Sequence, residues 1–156
     1  MIKKLYKIPI SVLVVIYTKQ SSILLLHRAD RKNYWQSITG SIEKQETLIE
    51  TARREVYEET GINTNEHSLQ DWKLNHQYEI YQHWRHRYEP NIIYNTEHIF
   101  GLEIPSETPI RLSPSEHIEY EWVKINEAKE RVFSWTNVIA LEKLQEIECL
   151  RSQNKI

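Results

Sequence analysis

The sequence predicts a mixed α/β domain, and three observations carry that prediction. Apolar, β-branched runs lie near the N-terminus, a glutamate-rich segment with helix-end signals follows, and further aromatic and β-branched runs precede a last segment of helical periodicity. Strands that alternate with helices in this way indicate an α/β architecture. The 156 residues suit one compact domain. We expect this domain to cover residues 1–150 and a polar C-terminal tail to follow at 151–156.

The first two predicted elements are strands. Residues 12–16 are all apolar and mostly β-branched, which fits a strand buried on both faces. Residues 23–26 form a second apolar run, and the polar residues 18–22 between the runs indicate a hairpin. Residues 28–46 are then a long polar passage with few structural signals, and loops of this kind tend to be functional.

Residues 47–61 carry the signals of a helix. Thr47 and Glu50 have the spacing of a capping box, and Gly61 is a typical residue just beyond a helix end. At about 100° per residue, the apolar side chains fall within one stripe that is expected to face the core. This stripe comprises Leu48, Ile49, Ala52 and Val56.

The remaining predicted elements follow from residue type and periodicity. Aromatic and β-branched residues predict two strands, an alternating apolar pattern predicts a third, and apolar residues at helical spacing predict a closing helix. These segments are residues 72–88, 95–104, 118–122 and 138–150.

Charge and composition exclude several classes of partner. The net charge is −2 with a pI near 6.4, so no basic excess indicates nucleic-acid binding. The apolar run at residues 8–17 is shorter than the roughly 20 residues that span a bilayer, and no signal-peptide cleavage site follows it. The single Cys149 allows no intrachain disulfide. We expect a cytoplasmic protein without a nucleic-acid or membrane partner.

Six glutamates lie between Gly40 and Ile62, and two of them are placed near the predicted core. On the helical wheel Glu59 falls inside the apolar stripe, Glu55 lies at its edge and Glu58 points toward solvent. A solvated acidic helix end accounts for Glu58 better than for Glu55 and Glu59, because an unpaired charge near a core is costly. Clustered carboxylates are what a hard cation such as Mg²⁺ requires. The pattern therefore predicts a metal site.

The spacing of these residues resembles a known family motif. Gly40, Glu46 and residues 54–62 (REVYEETGI) resemble the Nudix box, G-x5-E-x7-R-E-U-x-E-E-x-G-U with U apolar, and every specified position is filled. The resemblance implies an α/β/α sandwich around a mixed sheet. It also implies that the loop and helix hold Mg²⁺ on a diphosphate that is then hydrolysed.

Segments outside the box resemble one Nudix subfamily, the enzymes that hydrolyse dihydroneopterin triphosphate. These segments are YKIPISVLVVIY, YWQSITGS, RHRY, NTEH, SEHIEYEW and SWTN. The implied reaction is Mg²⁺-dependent hydrolysis to dihydroneopterin monophosphate and pyrophosphate, in folate biosynthesis. One departure from the family pattern is Gln45, where glycine usually precedes the first glutamate of the box. If the loop requires a positive φ at this position, Gln45 is strained.

The resemblance assigns roles to the acidic residues. Glu55 and Glu59 are expected to be the principal Mg²⁺ ligands, with Glu58 supporting them directly or through water, and Mn²⁺ is a potential substitute. Glu116 is expected either to bind a second metal or to act as general base. Arg54 is expected to anchor the carboxylates from behind, and Gly40, the first position of the box, is a second supporting residue.

The resemblance also implies residues that contact the substrate. These are Lys7, Arg28, Thr39, Tyr78, Glu79, Ile80, Tyr81 and Ser134. Aromatic candidates for stacking on a flat pterin ring are Trp35, Tyr78, Tyr81 and Trp135. Arg85 and Arg87 would share one face of the predicted strand, as a phosphate contact or as a solvated surface, whereas His83 and His86 would lie on opposite faces and form no zinc site.

Two other functions remain open at this point. The first is a Nudix hydrolase of another specificity, for example for oxidised dGTP, and the second is a module that senses a nucleotide without cleaving it. The intact box argues against the second. In each case the expected partner is a small-molecule triphosphate, and a monomer is favoured.

Overall fold

A computed structural model of the protein describes residues 5–154. Its strands are β1 (Ile10–Thr18), β2 (Ser22–Arg28), β3 (Trp35–Gln36), β4 (Ile38–Ser41), β5 (Ser68–Glu79), β6 (Tyr94–Ile104) and β7 (His117–Lys124). Its α-helices are α1 (Leu48–Thr60), α2 (Ile125–Arg131) and α3 (Trp135–Gln153). Short 3-10 helices cover Thr64–Glu66 and Gln82–Arg87.

These seven strands form one mixed sheet. The hydrogen-bonded order is β3-β2-β1-β6-β5, with β4 also paired to β1 and β7 to β2. β1 and β6 run parallel, from Ile10 opposite Thr96 to Thr18 opposite Ile104, and the other pairings are antiparallel. The predicted mixed α/β architecture is therefore confirmed.

Helices cover both faces of the sheet. Successive side chains of a strand point to opposite faces, so alternate residues of β1 pack into two different cores. Val12, Val14 and Ile16 pack with Ala52 and Val56 of α1. On the other face Leu13, Val15 and Tyr17 pack with residues of α2 and α3, including Ala128, Leu141 and Leu144. This arrangement is an α/β/α sandwich.

The ends of α1 follow the local sequence signals. The Thr47 side chain accepts a hydrogen bond from the backbone N–H of Glu50, and Gly61 ends the helix in the left-handed conformation at φ 79°. Ala52 and Val56 are fully buried, as predicted. The placement of Ile49 in the core stripe is wrong, because 38% of this residue is exposed. It lies at the margin of the stripe, outside the core cluster that Ala52 and Val56 join.

The predicted strand at 72–88 is wrong at both ends. β5 begins at Ser68 and ends at Glu79, and the chain then turns into the 3-10 helix Gln82–Arg87. β6 starts at Tyr94 opposite Glu79, so residues beyond Glu79 have no strand to pair with. The side chains predicted to alternate between the faces of a strand therefore lie on a helical turn. They are His83, Arg85, His86 and Arg87.

The C-terminal helix is longer than the sequence pattern predicts. Ser134 caps α3 by accepting a hydrogen bond from the backbone N–H of Asn137, and the helix runs to Gln153. The first three residues of the expected tail, 151–153, are therefore helical, and Arg151 forms an ion pair with Glu103 of β6. No helix within residues 5–154 combines the length and apolar character needed to cross a membrane.

Candidate active site

A pocket of about 510 Å³ opens between α1, the end of β5 and the N-terminus of α3. Its walls contain every residue predicted to contact substrate, together with Gly40, Glu55 and Glu116. These substrate-contact candidates are Lys7, Arg28, Thr39, Tyr78, Glu79, Ile80, Tyr81 and Ser134. The remaining predicted site residues, Arg54, Glu58 and Glu59, do not line this pocket and lie on α1 beside it.

The box glutamates of α1 differ in burial as the helical wheel predicts. Glu55 is 9% exposed and Glu59 is 1% exposed, whereas 53% of the Glu58 side chain is exposed. Burial raises the pKa of Glu55 to about 7, and the neighbouring carboxylates Glu58 and Glu59 add to this effect. Burial also raises the pKa of Glu59. The fold thus holds two carboxylates where ionisation is costly unless a cation is bound.

Arg54 connects the box glutamates to the loop that precedes α1. Its guanidinium donates from Nε and Nη2 to both carboxylate oxygens of Glu46, over 2.7 and 2.9 Å. Nη2 also donates to the backbone carbonyl of Ser41, and Nη1 donates to Oε1 of Glu55 over 2.7 Å. These bonds hold the pKa of Glu46 down at about 2. Arg54 therefore fixes the Glu55 carboxylate from behind.

Gly40 allows Glu55 to approach the sheet. A Cβ atom at Gly40 would lie 2.0 Å from the carboxyl carbon of Glu55, so a larger residue would displace the Glu55 carboxylate from its position beside Arg54. The glycine at the start of the box is therefore required by the position of Glu55 on α1, fifteen residues later in the sequence.

A second group of side chains joins α1 to the start of β7. Potential ligand atoms of Glu59, Glu116 and His117 all lie within 4.8 Å of one another. The hydrogen bond between Glu116 and Glu59 raises the pKa of Glu116 to about 7, and burial contributes further. Two carboxyl groups this close share a proton when no cation is present, so the donor set fits a hard divalent ion.

His117 is a member of this group that the sequence analysis did not single out. Burial lowers its pKa to about 4, so its imidazole is neutral at pH 7. Gln36 Nε2 donates to its Nε2 over 3.3 Å, which leaves the proton on Nδ1 for Glu59 Oε2 at 2.6 Å. Both ring nitrogens are occupied, so the carboxylates are the better ligands. The available sequence signal was its position directly after Glu116 and directly before the strand predicted at residues 118–122.

Three cationic side chains line the pocket. Arg28 is held by Asp30 through two hydrogen bonds of 2.8 and 2.9 Å and lies 4.3 Å above the Trp84 ring. This pairing holds the pKa of Asp30 well below its usual range. Arg87 also contacts Asp30, at 3.3 Å, and its backbone carbonyl accepts from the N–H of Lys7. Arg85, by contrast, pairs with Glu79 and does not line the pocket.

Aromatic rings form another wall of the pocket. The rings of Tyr81 and Trp84 each lie 5.8 Å from the ring of Phe133, and Trp135 follows at the start of α3. Phe133 and Trp84 were not among the predicted stacking residues. Trp35, which was among them, instead stacks on His27 at 4.7 Å and does not line the pocket.

Two motifs that are distant in sequence meet at the base of α3. The side-chain oxygen of Asn137 accepts from the backbone N–H of Ser37 over 2.9 Å, and its amide donates to the Ser37 hydroxyl over 3.0 Å. These bonds join SWTN to WQSITGS and set the position of Ser134 in the pocket wall. The motifs therefore build one site.

The sequence that builds this site matches the model of a known protein family. Residues 7–142 match the model of the NUDIX domain. The chain belongs to the Nudix family. Nudix hydrolases generally use a divalent metal, and the carboxylate group of Glu59 and Glu116 in this chain is consistent with that requirement.

Individual relatives of this Nudix hydrolase share a name. The chain is 41% identical to dihydroneopterin triphosphate diphosphatase of Escherichia coli K12, over 90% of this chain and 94% of the relative. It is 42% identical to the Haemophilus influenzae protein of the same name, over 88% of each chain. The solved E. coli dihydroneopterin triphosphate pyrophosphohydrolase matches with a TM-score of 0.85, over 90% of this chain and 97% of that structure.

The Nudix loop of this chain has an unusual backbone at its one departure from the family pattern. Gln45 adopts φ 69°, in the left-handed region that favours glycine. The loop therefore requires a positive φ at this position, and its conformation is retained with a glutamine in place.

Proposed function

We propose that this Nudix hydrolase cleaves dihydroneopterin triphosphate to dihydroneopterin monophosphate and pyrophosphate in a Mg²⁺-dependent reaction of folate biosynthesis. The observation that carries the proposal is the pocket itself, whose walls contain the predicted substrate contacts, several aromatic rings and the carboxylates of Glu55 and Glu116. The names of the bacterial relatives support the same substrate.

The residues that would hold Mg²⁺ are Glu59 and Glu116, with Glu55 one helical turn away. Mg²⁺ bound there would neutralise phosphate charge and make an attacking water easier to deprotonate. Burial raises the pKa of Glu55, and the hydrogen bond with Glu59, together with burial, raises the pKa of Glu116, so both carboxylates are costly to ionise without a nearby cation. A bound cation would lower this cost for both.

The phosphate chain would be held by the cationic wall. Lys7, Arg28 and Arg87 line the pocket, and a guanidinium can bind phosphate bidentately. In the present arrangement Arg28 already binds Asp30 through two hydrogen bonds. We infer that phosphate competes with Asp30 for Arg28, so that the carboxylate keeps the guanidinium oriented before the substrate binds.

The direct test is pyrophosphate release by the purified protein with Mg²⁺. Dihydroneopterin triphosphate is compared with dATP, dGTP and 8-oxo-dGTP, for the wild type and for Glu55→Gln, Glu59→Gln and the control Glu50→Gln. Glu50 lies on the exposed first turn of α1, outside the pocket. We expect the pterin to be preferred and turnover to be lost in the first two variants alone.

Other outcomes of the same assay would redirect the assignment. A preference for 8-oxo-dGTP or another nucleotide would contradict the pterin assignment and favour a nucleoside triphosphate pyrophosphohydrolase. Tight binding without turnover of any substrate would favour a sensing module.

We further propose that the protein acts in the cytoplasm as a monomeric single domain on a free small-molecule triphosphate. The net charge of −2 argues against a nucleic-acid substrate. Light scattering at assay concentration tests the monomer, and a mass of about twice 18.8 kDa would contradict it.

A further inference from the structure

Glu97 is a buried acid in the pocket wall that the reaction described above does not use. It is 4% exposed, and its Oε1 atom has no hydrogen-bond partner among the described residues. Its carboxylate accepts a hydrogen bond from the side chain of Thr136, at the start of α3. Burial raises the pKa of Glu97 to about 7. A buried carboxylate oxygen without a donor is costly to keep, so its retention in a pocket wall points to a ligand.

The position of Glu97 separates it from the metal-binding carboxylates. It stands on β6 opposite Ser11 of β1 and His76 of β5, with its side chain on the α3 face of the sheet. Glu55 and Glu59 belong to α1, on the other face. A substrate with its phosphates at α1 would therefore direct its opposite end toward Glu97.

The groups around Glu97 do not supply the missing donor. The Asn95 amide, on the same strand face, donates to the hydroxyls of Ser11 and Tyr78 over 2.8 and 3.1 Å. No lysine or arginine of residues 5–154 offsets the effect of burial on the pKa of Glu97. The Nε2 atom of His76, the cross-strand neighbour, is also buried without a hydrogen-bond partner, so this ring makes no bond to Glu97. A molecule bound in the pocket could therefore supply the donor for Oε1.

We propose that Glu97 determines substrate specificity by accepting hydrogen bonds from the ring N–H and the 2-amino group of a 2-amino-4-oxopyrimidine ring. A carboxylate presents two acceptors, and this edge presents two adjacent donors. Pterin and guanine share the edge. Adenine presents one acceptor beside its amino group, and hypoxanthine lacks the amino group. Trp135, next to Thr136 and in the pocket wall, supplies an aromatic face near the ring.

This inference deepens the proposed function, and nucleotides allow it to be tested separately. Dissociation constants for dGTP, dITP and dATP are measured by calorimetry without metal, and kcat/KM is measured with Mg²⁺. The wild type is expected to favour dGTP over dITP and dATP. In Glu97→Gln the dGTP preference is expected to fall at least about 10-fold, because two bonds to a charged acceptor are lost or weakened. An amide pairs better with adenine, so dATP should gain relative to dGTP.

The matched control is Glu103→Gln. Glu103 is on the same strand, pairs with Arg151 and lies outside the pocket, so the nucleotide ratios should not change. Unchanged ratios in Glu97→Gln, or an equal loss for all three nucleotides, would overturn the proposal. If that variant does not fold, the wild-type comparison of dGTP with dITP decides, and equal affinities would overturn it.

The two proposals fail in different ways. If dihydroneopterin triphosphate is not cleaved but Glu97→Gln loses discrimination between dGTP and dITP, the proposed function fails and the role of Glu97 stands. If the pterin is cleaved and Glu97→Gln still discriminates between dGTP and dITP as the wild type does, the proposed function stands and the role of Glu97 fails.

Discussion

The Nδ1–H of His117 donates to Oε2 of Glu59 over 2.6 Å, between residues 58 positions apart in the sequence. The bond links the Glu59 face of α1 to β7 and is almost fully enclosed, with 4% and 2% of the two side chains exposed. Because the imidazole is neutral at pH 7, it orients the Glu59 carboxylate without neutralising its charge. Partners of this kind tune the affinity of a ligand for its metal.

Removing the His117 imidazole should weaken metal use without abolishing the fold. We expect His117→Ala to raise the Mg²⁺ concentration for half-maximal turnover by about 10–100-fold, because Glu59 loses its orienting donor. His117→Asn, which keeps an amide donor near the Nδ1 position, should restore part of the effect. A Mg²⁺ titration of turnover checks both variants, and an unchanged half-maximal concentration in His117→Ala would contradict the role.

Adding one methyl group at Gly40 should destabilise the protein through Glu55. The new Cβ would lie 2.0 Å from the Glu55 carboxyl carbon, so we expect Gly40→Ala to lower the free energy of unfolding by about 1–3 kcal/mol. In the background of Glu55→Ala the clash is absent, and the same substitution should cost much less. Chemical denaturation of the two single variants and the double variant measures this coupling. Additive effects would rule out the contact as the cause.

Relieving the backbone strain at Gln45 should stabilise the Nudix loop. Gln45 is exposed and adopts φ 69°, so Gln45→Gly should raise the free energy of unfolding by up to about 1 kcal/mol. Lys44→Gly is the matched control, because Lys44 is exposed, precedes it in the same turn and has no positive φ. Lys44→Gly should lower the free energy of unfolding by a few tenths to about 1 kcal/mol, because glycine gives the unfolded chain more conformational freedom. Thermal or urea unfolding compares the two, and equal shifts would contradict strain at residue 45.

Neutralising Glu97 should stabilise the unliganded protein in a pH-dependent way. The folded-state pKa of about 7 lies above the usual value of 4.5, so ionisation costs stability as the pH rises from about 4.5 to about 7. Below this window the group is protonated in both states, and above it the full cost of a few kcal/mol remains. The melting temperature of Glu97→Gln relative to wild type should therefore rise between pH 5 and pH 8. Glu103→Gln loses an ion pair instead, and a rise of similar size in that variant would contradict the burial argument.

The sequence was most informative where structure depends on neighbours within one or two helical turns. The ends of α1 follow from Thr47 and Gly61, and the periodicity of the helix correctly placed Glu55 and Glu59 toward the core. Ile49 was misplaced because the width of a buried stripe depends on what packs against it. The strand predicted at 72–88 was wrong for a related reason. Its partner β6 begins at Tyr94, opposite Glu79, so residues beyond Glu79 have no partner strand.

The sequence by itself thus determined the mixed α/β class, the limits of helix α1 and the family motif, because each is encoded by residue type and spacing within a short segment. Only the tertiary structure decided that His117 meets Glu59, that Asn137 binds Ser37 across 100 positions, and that Glu97 is left buried with an unpaired oxygen. These contacts depend on strand register and helix packing. No local sequence pattern specifies which distant side chains the register and the packing bring together.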